Sequence, residues 1–146
     1  MEKNIEKYYH WHIEKGIKME INYNLNNFFP LEINEYRGHR YQISFNWNFP
    51  AAYIEVDKLL NDNECNFPVH GGITFCVKNY KEKRSFDDIV GDGKCYYGWD
   101  YGHALDYMCF PGLYENNGKK WTIEEIRQQC MDAIDYYIKR IKDENL

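Results

Sequence analysis

The sequence predicts an α+β fold: an antiparallel sheet of about four to five strands with a C-terminal amphipathic helix packed on one face. Two patterns carry this expectation. Tyr41, Ile43, Phe45 and Trp47 alternate with Gln42, Ser44 and Asn46, the period of a strand with one buried face. Ile126, Cys130, Ala133, Ile134, Tyr137, Ile138 and Ile141 instead recur at helical spacing behind Thr122 and Glu125, the residues of a capping box.

In chain order, Ile5, Tyr8, Tyr9 and Ile13 follow helical spacing up to Gly16, which predicts an N-terminal helix within residues 1–16. Ile17–Tyr23 alternates as a short strand, and Asn24–Pro30 reads as a polar turn apart from Phe28 and Phe29. Tyr36–Trp47 is the clearest strand; Pro50 breaks it, and Ala51–Val56 follows as a third, with a turn of helix at Asp57–Leu60. Val69–Val77 gives a fourth strand, entered through Pro68 and carrying Gly71 and Gly72. Asn79–Gly93 is a charged surface loop, and Cys95–Trp99 a fifth strand. Phe110–Lys120 is loop again before the helix over residues 122–143, whose Glu124, Glu125, Lys139, Arg140 and Lys142 suit its dipole. No repeat or linker divides the 146 residues, so a single domain is expected.

Composition narrows the function classes. Acids outnumber bases 23 to 18, for a net charge of −5, and the one basic cluster, Lys78, Lys81, Lys83 and Arg84, is diluted by Glu82, Asp87 and Asp88. Direct nucleic-acid binding is therefore not expected, because counterion release needs a basic surface. Aromatic residues make up 18% of the chain, with 14 Tyr, a surplus that suits either pockets or a Tyr-rich core. The five cysteines lack CxxC spacing, which argues against a zinc knuckle and for reduced thiols in a cytoplasm. With no apolar leader or membrane-length run, a soluble cytoplasmic protein is expected.

The candidate site is the stretch Val69–Asp106, where His70, Gly71, Gly72 and Thr74 are followed by Trp99, Asp100, Tyr101, His103 and Asp106. Were Asp100–Asp106 helical, Asp100, His103 and Asp106 would succeed one another along one broad face. With His70 they could hold a divalent metal for hydrolysis, or work without metal as a carboxylate-oriented acid or base. The same groups could instead bond backbone amides and brace the loops, or grip a small polar ligand together with Tyr96, Tyr97, Trp99 and Tyr101. Weaker signals are His10-x-His12, unable to share a metal on a helix, and Gly38-His39-Arg40, either a plain turn or an anion fork. Gly91-Asp92-Gly93 has no helix behind it to cradle phosphate, and neither a nucleophile elbow nor a Walker motif is present.

Gly38-His39-Arg40, Ala52-Tyr53-Ile54, His70-Gly71-Gly72-Ile73-Thr74 and Gly98-Trp99-Asp100-x-x-His103-x-x-Asp106 together resemble a family of small phage and prophage proteins. Members of that family carry GHxxGYV-like, HGG(L/I)T and WWFGFDCAHxGD segments before a C-terminal helix. Here Ala52 and Leu105 stand where the family has glycine, and Trp99 where Phe is usual. The resemblance implies a phage or mobile-element origin and, through it, an inhibitor of host antiviral defence that acts by binding. Its partner would be a defence protein, as for anti-CRISPR proteins, or a small nucleotide signal held at the two later motifs and Tyr53. The alternatives are a small metal-dependent hydrolase or phosphoesterase using His70, Asp100, His103 and Asp106, and an interaction module with no active site. Self-association into a homo-oligomer stays open.

Overall fold

A computed structural model describes residues 5, 6, 9, 28–46, 48–61, 66–108 and 118–145. Among them lies an antiparallel five-stranded sheet: β1 (Phe28–Tyr36), β2 (His39–Asn46), β3 (Phe49–Val56), β4 (Phe75–Val77) and β5 (Cys95–Asp100), in the order β1-β2-β3-β5-β4. Helix α1 (Ile123–Glu144) packs against β2 and β3. The expected α+β architecture is present. No helix among the described residues is long and apolar enough to cross a membrane.

The expected alternation of β2 buries Tyr41, Ile43 and Phe45 under the helix, joined by Ala52, Ile54 and Val56 of β3 and Cys95, Tyr97 and Trp99 of β5. The apolar stripe of α1 meets them with Ile126, Cys130, Ala133, Ile134 and Tyr137. Ile5 and Tyr9 also enter this core, and the Tyr9 hydroxyl donates to the Trp121 carbonyl. The rest of the expected N-terminal helix and the Ile17–Tyr23 strand lie outside the described residues, as does most of the Phe110–Lys120 loop.

The capping box at the start of α1 is complete: Thr122 Oγ1 accepts from the Glu125 amide at 3.2 Å, and Glu125 Oε1 accepts from the Thr122 amide at 3.0 Å. Thr122→Ala removes one acceptor for an otherwise unpaired amide, so it should lower unfolding free energy by about 1 kcal/mol, read as an earlier chemical-denaturation midpoint with unchanged slope.

Several expected elements differ. β1 begins inside the segment expected as a turn; as an edge strand it tolerates Pro30, and its register slips between Pro30 and Glu32, which blurs the alternation. Tyr36–Trp47 is not one strand, because Arg37 and Gly38, at φ 51° and 85°, form the two-residue hairpin turn between β1 and β2. Pro50 does not end a strand: it pairs with Phe45 near the start of β3. Asp57–Leu60 is not helical but a bend held by the Tyr97 hydroxyl, which accepts from the Leu60 amide at 2.7 Å. Only Phe75–Val77 of the expected fourth strand pairs, because Gly71 and Gly72, at φ 72° and 77°, turn the chain away first.

The Asn79–Gly93 segment departs most from expectation. It crosses the sheet face opposite α1 and buries Asp88, Ile89 and Val90 there against Ala51, Tyr53 and Tyr96. That face is polar: Gln42, Ser44 and Glu55 are buried on the sheet. Gln42 Oε1 accepts from the Ile89 amide at 2.9 Å, and Arg40 bridges Glu55 and Asp92, each at 2.7 Å. Arg40 is thus engaged by carboxylates of its own chain and offers no unpaired anion fork.

Candidate functional site

At the Asp100 end of β5 the chain makes two linked arrangements, one braced and one open. The brace centres on Asp106, only 4% exposed. Asp100–Asp106 is not helical. Its last residues form a turn in which the Asp106 amide donates to the His103 carbonyl at 3.0 Å and Leu105 sits at φ 74°. That turn delivers the Asp106 carboxylate to three donors. His70 Nε2 lies 2.7 Å from Oδ2, the His103 amide donates to Oδ2 at 3.0 Å, and Trp121 Nε1 donates to Oδ1 at 2.9 Å. Burial pushes the Asp106 pKa up, but the bonds from Trp121, the His103 amide and His70 outweigh it and hold the group below its ordinary value.

The His70 ring stacks on Tyr101 at 5.4 Å and meets the His103 ring edge-on at 5.2 Å. Helix α1 is tied in through Gln129, whose Oε1 accepts from the Tyr101 hydroxyl at 2.6 Å and from the His70 amide at 3.1 Å. Trp99 Nε1 donates to the same hydroxyl at 2.9 Å. Burial pushes the Tyr101 phenol well above its ordinary range, so it serves as a neutral donor. Gly71 is needed twice over. Its φ is positive, and a Cβ there would stand 2.5 Å from His103 Nε2.

His103 Nε2 comes within 3.4 Å of Asp100 Oδ1, outside hydrogen-bond geometry, and is otherwise buried without a partner. Asp100 Oδ1 accepts from the Gly102 amide at 3.0 Å, so it caps a turn as Asp106 does. Among the described residues Asp100 Oδ2 has one hydrogen-bond partner, the Thr74 hydroxyl at 3.4 Å. Among the described residues no three His, Cys, Asp or Glu side chains converge with the geometry of a metal site. His70, Asp100, His103 and Asp106 meet as two imidazole–carboxylate pairs instead.

The open arrangement is a cleft of about 300 Å³ lined by Asn46, Phe49, Tyr53, Thr74, Phe75, Trp99 and Asp100. Tyr53 forms one wall. Its ring stands edge-on to Phe75 at 5.5 Å, the Arg84 guanidinium lies 4.2 Å from the ring centroid, and its hydroxyl is 2.7 Å from both Asn46 Nδ2 and Arg84. Arg84 is itself paired with buried Asp88 at 2.8 Å. Gly98 lets Tyr53 lie across β5, since a Cβ at 98 would fall 2.6 Å from the Tyr53 ring. A larger groove of about 640 Å³ runs beside Asp57–Asn61 and Cys76–Asn79, and none of the expected site residues lines it. Among the described cysteines Cys76, Cys95 and Cys130 form no disulfide.

The sequence-predicted residues therefore divide. His70, Gly71, Tyr101, His103 and Asp106 belong to the brace, Tyr53, Thr74 and Asp100 line the cleft, and Trp99 borders the cleft while its indole bonds into the brace. Gly72 contributes a turn and open space above its Cα. Sequence reading missed Trp121 and Gln129 in the brace and Asn46, Phe49 and Phe75 in the cleft. Only the position of Trp121 just before the helix cap hinted at a role. No protein-family model, curated protein or solved structure matches the chain.

Proposed function

We propose that the protein acts by binding rather than catalysis, as a phage-type inhibitor of host antiviral defence that engages its target at the Asp100 cleft. The target is a defence protein or a small nucleotide signal. One observation carries the binding reading: Asp100 presents Oδ2 to a cleft with aromatic walls while its other oxygen is fixed by the Gly102 amide. A carboxylate whose orientation is fixed by one backbone bond and whose remaining acceptor capacity faces a cleft is a preorganised acceptor. The phage and defence parts rest on the motif resemblance over Gly38–Asp106.

A hydrolase using His70, Asp100, His103 and Asp106 has less behind it. Asp106 has both oxygens engaged, and the four side chains fall into pairs with no common ligand point among the described residues. The test is plaque formation on bacteria that carry single defence systems and express the chain. Plating should recover against one system with the wild type and fail to recover with Asp100→Asn, whose amide keeps the acceptor for Gly102. Recovery that survives Asp100→Asn would move the binding surface elsewhere, and no recovery with any system would overturn the defence reading.

A further inference from the structure

The cleft has a chemistry narrower than "polar ligand". Among the described residues its lining carries one charge, the Asp100 carboxylate; Asn46, Thr74 and Tyr53 add neutral polar groups, and Phe49 and Phe75 add apolar ring surface, the Trp99 indole being buried on the helix side of the sheet. Among the described residues no cationic side chain lines it. The nearby cation, Arg84, is neutralised by Asp88 and lies against the Tyr53 ring. The site thus lacks what a phosphate or carboxylate would need and offers what an N–H donor would need.

The two carboxylate oxygens narrow the ligand further. Each can accept about two hydrogen bonds. Oδ2 uses one weakly, for Thr74, and Oδ1 uses one for Gly102, with His103 outside bonding geometry. Among the described residues one acceptor position is therefore unfilled on each oxygen of the one carboxylate. Two parallel N–H groups on a flat frame fill such a pair, and the flat frame suits the phenylalanine rings.

We infer that the cleft is a binding site for a planar group with two adjacent N–H donors, a guanidinium or the N1–H/N2–H edge of guanine, held bidentate by Asp100 and flanked by Phe49 and Phe75. The inference rests on the binding function proposed above and deepens it. A guanidinium would come from an arginine, and a guanine edge from a nucleotide whose phosphates stay outside the cleft. At about 300 Å³ the volume is at the small end of ligand sites, enough for the flat group and not for a whole dinucleotide.

Calorimetric titration of the full chain with guanosine monophosphate, adenosine monophosphate, L-arginine and L-lysine tests this. Guanosine should bind roughly tenfold or more tightly than adenosine, or arginine than lysine, because the bidentate match is lost in the second member of each pair. The pair that discriminates identifies the source. Asp100→Asn should abolish that discrimination while Phe75→Ala weakens both members together. If Asp100→Asn fails to fold, Thr74→Val, which removes the neighbouring hydroxyl without touching the Gly102 bond, should still shift the preferred ligand's affinity. Binding that depends on Phe75 but ignores Asp100, or that shows no preference in either pair, overturns the donor-edge assignment and leaves the cleft as a binding site. Absence of any binding, together with no recovery of plating, overturns both.

Discussion

Asp106→Ala is expected to lower unfolding free energy by about 3 kcal/mol, enough to remove a large part of the stability of a chain this size. Truncation leaves His70 Nε2, the His103 amide and Trp121 Nε1 without their shared acceptor inside a nearly closed site. Because Trp121 precedes the helix cap and His70 precedes the Gly71 turn, the loss loosens both chain segments at once. Asp106→Asn keeps one acceptor and should fall between wild type and Ala. The same carboxylate sets an acid dependence. Its folded pKa lies below the ordinary value of 3.8, so the unfolded chain takes up its proton first as pH falls. Its contribution is complete above that value and is lost progressively below it. Glu32, held low chiefly by its bond from Arg127, acts in the same direction. Urea midpoints measured at neutral pH and in acid should therefore converge for wild type and Asp106→Ala. Equal spacing at both would show that the carboxylate's charge is not what stabilises the brace.

Gly98→Ala is expected to lower unfolding free energy by about 2 kcal/mol and, under the proposed binding function, to weaken the ligand's hold in the cleft. The added methyl would lie 2.6 and 2.8 Å from two carbons of the Tyr53 ring and 3.2 Å from the Ala52 carbonyl. Tyr53 cannot simply swing aside, since Phe75, Asn46 and Arg84 hold it on its other sides. Relief must come by separating β3 from β5 or by displacing the wall of the cleft, and either route reaches Asp100. A variant that melts with the wild type would mean that the ring has room to move.

Much of the scaffold was legible. The capping box at Thr122 and Glu125 is a local device, and local devices are written in adjacent residues. The alternation of β2 and the apolar run of β3 reflect burial on one or both faces, which leaves a periodic mark. β1 was hidden because an edge strand with a register slip need not alternate cleanly, and because Arg37 rather than Asn or Gly holds the first turn position. The Asn79–Gly93 segment was misread because its charges suggested solvent, whereas several of them are spent on one another and on the polar sheet face.

For the site, His70, Asp100, His103 and Asp106 could be singled out because their residue types are chemically marked and lie beside conspicuous glycines. Their division into a brace and a cleft could not be read. It depends on Trp121 arriving from just before the helix and Gln129 from the helix itself, and on Asn46, Phe49 and Phe75 meeting at one end of the sheet. Those five carry no chemical mark in sequence, and only the topology brings them to the brace and the cleft.

The strand order also governs how the chain assembles on the ribosome. β1, β2 and β3 can zip together as they emerge, each beside its predecessor. β4 emerges next but has no partner until β5 follows, because β5 inserts between β3 and β4. From the emergence of Val56 until that of Asp100, the free edge of β3 is therefore bare on the nascent protein. During that interval it is open to pairing with a neighbouring chain. Slow translation through the intervening segment would lengthen this aggregation window, and completion of β5 closes it.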